Sequence, residues 1–290
     1  MSRPQSCSAF SLALGEPLRA TAPEASSWLL VEQPGPWGRD ALVESGLEQA
    51  VGEELQRRTK ELGIKALLLK RPGRSAPVRR RCFLGSSRQG ATFLEEVALD
   101  SPADLLALDL GALARGERPG VGATVERPLY LVCTNSRRDA CCARLGRPLV
   151  AALAETYPGR VWECSHLGGH RFAPNLVCLP DGLWFGRSEA AVAAEYDRGR
   201  VALEHLRGRS SFPATVQAAD HFVREREGLR GVDDLTVEAH AGDEVTLRGT
   251  DGRRFHVRLR QDLADSPRPL SCGDEKHDRP VVWSLVEMAS

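Results

Sequence analysis

The sequence predicts an α/β protein in three segments: an α/β domain over 1–122, a small α/β domain over 123–212, and a helix followed by antiparallel strands over 213–290. Three observations predict it. Apolar runs of strand length (28–33, 66–71, 128–134, 160–165) alternate with stretches of helical apolar spacing, the order that builds a sheet covered by helices. The Gly-rich stretch GERPGVGATVERP (116–128) separates the first segment from the second. Beyond 230 the pattern turns to short alternating strands.

The elements follow in order. WLLVEQ (28–33) reads as a buried strand, and PGPWG (34–38) as a turn, since Pro and Gly do not continue a ladder. Residues 40–62 carry Leu42, Val43, Leu47, Val51 and Leu55 at helical spacing. ALLLKR (66–71) is a second strand, followed by a basic loop, RPGRSAPVRRR (71–81). RCFLGSS (81–87) and ATFLEEVAL (91–99) read as paired strands. Ser101 and Pro102 open a helix over 101–110, as N-cap and first helical residue. This first segment is either a degenerate relative of the second or a docking platform.

The second segment starts with the strand PLYLVCT (128–134). A helix over 142–157 follows, with Pro148 restricting its early part, and then the strand RVWECS (160–165). NLVCLP (175–180) and LWFGR (183–187) flank Asp181-Gly182, a strong two-residue hairpin signal. Residues 189–208 read as a helix. The order strand–helix–strand–hairpin–helix predicts a thioredoxin-type unit, its first two strands parallel. A helix near 213–228 and strands at 235–240, 244–250, 253–260 and 281–288 complete the chain.

Composition limits the function. With 42% hydrophobic residues the 290-residue chain has material for a sizeable core. Charges balance at 39 basic and 39 acidic, which argues against a general nucleic-acid or polyanion binder. No run approaches the roughly 18 apolar residues of a membrane span, and the first twenty residues make a poor signal peptide. The expectation is a cytoplasmic protein with no membrane and no nucleic-acid partner, its eight cysteines unstapled by disulfides.

Four of those cysteines fall between 133 and 164, beside His166 and His170. Cys133 and Cys142 are separated by eight residues, His166 and His170 by three. Both pairs follow predicted parallel strands, whose carboxyl-end loops converge on one crevice. Gly168 and Gly169 argue for a loop, since each costs ~1 kcal/mol inside a helix. Two Cys and two His admit three chemistries. These are tetrahedral zinc, an iron–sulfur cluster with two imidazole ligands, and a thiol–disulfide site. Zinc-finger spacing and C-x-x-C are both absent, and ordinary core cysteines with surface histidines are the bland alternative. No nucleophile–base pair, dinucleotide glycine fingerprint or P-loop accompanies them.

YLVCTNSRRDACCARLGRPLVAAL and VWECSHLGGHRFAPNLVCLPDGLWFGR, within 130–187, resemble the sucrase/ferredoxin-like family, as does WLLVEQPGPWGRDAL (28–42). The resemblance covers most of 7–208. It implies a thioredoxin-like ferredoxin domain that holds a [2Fe–2S] cluster through Cys133, Cys142, His166 and His170, and it implies no sugar chemistry. The function expected is one-electron transfer or redox sensing with an unidentified redox partner protein, rather than stand-alone catalysis. A zinc-stabilised binding module and a thiol oxidoreductase are the alternatives. Imidazole ligands imply a potential above that of all-thiolate clusters, and one that falls with rising pH.

The neighbours carry their own expectations. Cys141 is a bystander thiol unless the register slips by one, and Cys164 and Cys178 are buried structural thiols. Cys7, Cys82 and Cys272 lie far off in sequence. Arg137, Arg138 and Asp139 position the cluster loop, form a partner-docking surface or lie in a solvated turn. Arg171 offsets cluster charge, docks an anionic group or forms a structural ion pair. Trp37 and Trp162 are core aromatics.

Overall fold

The structure is a computed structural model and describes residues 6–73 and 79–290. The central part of the basic loop predicted over 71–81 lies outside the described residues. In chain order the helices and strands are α1 (Cys7–Ala13), β1 (Ser27–Glu32), α2 (Gln49–Glu61), β2 (Lys65–Lys70), β3 (Arg80–Ser86), β4 (Phe93–Leu99), α3 (Leu110–Arg115) and β5 (Ala123–Thr124). Then come β6 (Leu129–Cys133), α4 (Ala140–Thr156), β7 (Val161–Cys164), β8 (Leu176–Leu179), β9 (Leu183–Phe185), α5 (Ala190–Asp197) and β10 (Leu206–Arg209). The last are α6 (Ala214–Glu227), β11 (Leu235–Ala241), β12 (Glu244–Gly249), β13 (Arg254–Leu263) and β14 (Val281–Ala289).

The fold is mixed α/β with a large sheet and a second, antiparallel one. The chain divides into two compact units that do not follow the three consecutive segments 1–122, 123–212 and 213–290. One unit takes 25–168 and 176–182; the other takes 1–24, 169–175 and 183–290. The Gly-rich stretch read as a boundary lies within the first, where β5 pairs with β4.

In the first unit the described strands run β8-β6-β7-β2-β1-β3-β4-β5. Two copies of one topology build this sheet. β1 and β2 pair in parallel across α2, with β3 antiparallel on the far side of β1. β6 and β7 pair in parallel across α4, with β8 antiparallel on the far side of β6. The copies join edge to edge where β2 meets β7 antiparallel, Leu69 opposite Cys164. The first segment therefore repeats the topology of the second. Leu29, Val31, Leu55, Leu68, Leu84 and Leu113 form the core on one face of the first copy. All residues of β1, β6 and β7 are buried, which is why their sequences are mostly apolar, with Glu32 and Glu163 held in ion pairs.

The other unit sets α6 on the four-stranded antiparallel sheet β11-β12-β13-β14. Phe255, Val257 and Leu259 alternate inward along β13 and meet Val216, Ala219 and Val223 of α6, while Arg254, His256 and Arg258 alternate out. Gly228, at φ 69°, ends α6 in the left-handed conformation.

Three helices differ from the sequence expectation. The one read over 40–62 begins only at Gln49, because the Glu44 carboxylate takes the N–H groups of Arg39 and Asp40 and closes a turn where helix was expected. The Ser101 start is real, with Asp104 completing a capping box, but the turn it opens is a 3-10 helix (Pro102–Ala107). The helix read over 189–208 stops at Asp197. Gly199 takes φ 72°, Leu203–His205 form a 3-10 turn, and Leu206–Arg209 become buried β10, paired antiparallel with β9.

Candidate metal centre

Cys133 is the last residue of β6, opposite Cys164 in the parallel pairing with β7. The crossover α4 returns its N-terminus to the same end of the sheet. Asp139 caps it by accepting the Cys141 N–H (2.7 Å), which places Cys142 in the first turn. Gly146 makes the close approach possible, since a β-carbon there would overlap the Cys133 carbonyl oxygen. As a result the sulfurs of Cys133 and Cys142 lie within hydrogen-bonding reach. Cys141, about 100° further round the helix, is buried as well.

The surroundings of Cys133 Sγ favour negative charge. The thiol donates to the Ser165 carbonyl (3.2 Å). As a thiolate it accepts from Cys142 and from the backbone N–H groups of Leu167 and Asn135, which hold it below the usual thiol range against the cost of burial. Cys142 is pushed the other way, by its hydrogen bond to Cys133 and by burial. Of the two, Cys133 is the easier to ionise and Cys142 the harder. A bound cation removes that difference, because coordinated thiols are deprotonated. The pair offers two adjacent sulfur donors of the kind a metal takes as thiolates.

The supporting loops are tied down. Thr134 Oγ1 donates to Glu163 (2.7 Å), which also receives Lys70 (3.2 Å). Asn135 donates to the Gly38 carbonyl (3.0 Å). After β7, the Ser165 N–H donates to the Leu68 carbonyl, and the Ser165 hydroxyl accepts the Leu68 N–H. His166 follows, half-buried, beside the Leu167 amide that serves Cys133. A cleft of about 480 Å³ opens at the same carboxyl end, lined in part by Trp37, Lys70, Arg71, Asn135, Arg137 and Arg147.

Residues 165–169 form a loop, with Gly168 and Gly169 at φ 94° and 69°. His170, 8% exposed, belongs to the other compact unit and opens the 3-10 turn His170–Phe172. Within that unit the turn is held from several sides. The Gly169 carbonyl accepts from the Phe172 N–H (2.9 Å) and from the Asn175 side chain (3.0 Å). Arg207, 2% exposed and flanked by the Phe172 and Trp184 rings, donates to Asn175 Oδ1 (2.7 Å). Its guanidinium fills the space that a side chain at Gly169 would need.

The structure thus brings Cys133 and Cys142 together, sets His166 in the neighbouring loop and places His170 at the start of a clamped turn. Cys164 and Cys178 are fully buried, and desolvation holds both thiols well above the usual range. Cys82 is raised for the same reason. Asp139 is a buried helix cap, not part of a docking surface; Arg137 is exposed and Arg138 half-buried. Arg171 forms a structural ion pair with Glu16 (2.8 Å). Trp37 and Trp162 are core residues. Sequence reasoning missed Arg207 and Asn175. A buried arginine has no sequence signature, and the spacing around Arg207 predicts a helix instead of the strand β10 that holds it.

A family model described as Sucrase/ferredoxin-like matches residues 18–208. Over 84 residues the chain is 39% identical to "Altered inheritance of mitochondria protein 32" of Eremothecium gossypii, covering 23% of this chain and 26% of that protein. Over 105 residues it is 30% identical to the protein of the same name from Saccharomyces cerevisiae, covering 30% and 34%. The chain spans about a third or less of the length of these curated relatives. No solved structure matches it. No helix among the described residues is long and apolar enough to cross a membrane.

Proposed function

The chain belongs to the sucrase/ferredoxin-like family, and from that premise we propose that it is a one-electron transfer or redox-sensing protein. In this reading a thioredoxin-like domain holds a [2Fe–2S] cluster through Cys133, Cys142, His166 and His170. The observation that carries it is the contact between the sulfurs of Cys133 and Cys142, under the N–H groups of Leu167 and Asn135. The assignment of the two histidines rests on the family's H-x3-H pattern. It is supported by the glycine loop that carries them.

When bound, the cluster supplies one-electron chemistry. Cys133 and Cys142 would hold it as thiolates, and His166 and His170 through imidazole nitrogens. The Leu167 and Asn135 amides stabilise negative charge on Cys133, as hydrogen bonds to ligand sulfur do in such centres. Neutral imidazoles in place of two thiolates reduce the negative charge and so favour the reduced state. Arg137 and Arg147, exposed at the cleft, offer positive charge to an acidic face of a redox partner protein.

Metal and acid-labile sulfide analysis of protein expressed with ample iron and handled without oxygen tests the reading. Two irons and two sulfides per chain are expected. Stoichiometric zinc without sulfide would overturn it. The close sulfurs also favour a second reading, a thiol oxidoreductase acting through Cys133 and Cys142. Protein free of iron and sulfide, with these two cysteines cycling between dithiol and disulfide, would establish that one instead.

A further inference from the structure

A second pair of sulfurs meets in the other compact unit. Cys7, the first residue of α1, and Cys272, in a loop near the end of the chain, are 265 positions apart, yet their sulfurs lie 3.4 Å from one another. We propose that Cys7 and Cys272 form a reversible, redox-active disulfide that fastens this loop to α1.

The surrounding structure already holds the two segments in register. A bridge between Arg268 and Asp278 closes the loop, each N–H donating to the other's carbonyl. Buried Arg268 lies 3.6 Å from Glu16, just beyond α1. The His277 and Phe10 rings are 6.0 Å apart. The Cys272 thiol thus reaches Cys7 from a loop anchored on both sides. A disulfide needs the sulfurs at ~2.0 Å, so bonding requires the two to close in from their 3.4 Å separation.

Exposure sets the order of events. Cys272 is the only exposed cysteine of the eight, while Cys7 is 1% exposed. A small disulfide such as oxidised glutathione meets Cys272 first. The Cys272 thiolate attacks one of its sulfurs, forming a mixed disulfide and releasing one thiol. The Cys7 thiolate then attacks the Cys272 sulfur and releases the second thiol. The chain gives up two protons and two electrons, and one small disulfide becomes two thiols. α1 packs on the His170–Phe172 turn, and Glu16 pairs with Arg171 of that turn. Locking α1 therefore stiffens the support beneath His170. That consequence rests on the cluster reading, whereas the cross-link itself does not.

The test equilibrates the full chain in reduced and oxidised glutathione, blocks remaining thiols with an alkylating agent and maps peptides by mass spectrometry. The expected result is a cross-linked peptide pair holding Cys7 and Cys272, with both thiols lost together and both restored by reductant. In the Cys272→Ser variant, which alters only an exposed side chain, Cys7 should stay reduced throughout. A persistent glutathione adduct on Cys272 with Cys7 still alkylated would overturn the proposal. So would a pair protected by stoichiometric zinc and exposed on chelation. Iron and sulfide content, measured on the same samples, reports separately on the cluster.

Discussion

The sulfurs of Cys133 and Cys142 hydrogen-bond to each other although one ends a strand and the other lies in the first turn of a helix, with eight residues between them. The parallel crossover enforces this. It brings the start of α4 back over the end of β6, and Asp139 fixes which residue of the vicinal pair faces the strand. Cys133→Ser and Cys142→Ser should each abolish the visible absorption of the cluster and most of its iron. Cys141→Ser should leave both near wild type. Absorption spectra and iron content of the three variants check this. Colour lost at Cys141 and kept at Cys142 would identify the other thiol as the ligand.

Replacing one imidazole by a thiolate adds negative charge at the iron. His166→Cys or His170→Cys should retain a cluster with a midpoint potential lower by roughly 100 mV or more, given the gap between imidazole-ligated and all-thiolate clusters. Protein-film voltammetry measures it. A potential unmoved in both variants would remove the two histidines from the ligand set.

Gly146 sets the distance between α4 and β6. A methyl group there meets the Cys133 carbonyl oxygen, a backbone atom held in the sheet and unable to yield as a side chain would. Gly146→Ala should cost on the order of 1–3 kcal/mol, the usual range for overpacking, even though alanine is the better helix former. Chemical denaturation measures the loss. A stabilised variant would show that α4 shifts freely and that the close approach is not required.

Much of this was legible in the sequence because it depends on local pattern. The buried strands around Leu30, Leu131 and Trp162 are mostly apolar, and Gly168-Gly169 announced a loop before the chain reached His170. What was not legible depends on partners distant in the chain. Residues 189–208 carry helix-compatible spacing, yet Leu206 and its neighbours pair with β9 because tertiary pairing outweighs propensity. Glu44 turns the chain with its own carboxylate, which no periodicity reveals. The contact of Cys7 with Cys272 has no spacing signal at all.

His221 of α6 gives the fold a pH dependence of its own. Its Nδ1 has no hydrogen-bond partner among the described residues. Burial lowers its pKa below the ordinary value of about 6.5, and nearby Arg19 and Arg230 act in the same direction. Asp220 and Glu225 on its own helix oppose the shift without cancelling it, and Glu204 lines the same cleft. The unfolded chain therefore takes up this proton at a higher pH than the folded chain. Stability is fully present above the unfolded value, declines as pH falls below it, and levels off once the folded imidazole also protonates. His221→Gln keeps a polar side chain of similar reach but cannot titrate. Urea midpoints at about pH 8 and pH 5 should fall less in the variant than in the wild type. An equal fall in both would mean that His221 protonates alike in the folded and unfolded chains, and that the acid sensitivity comes from other groups.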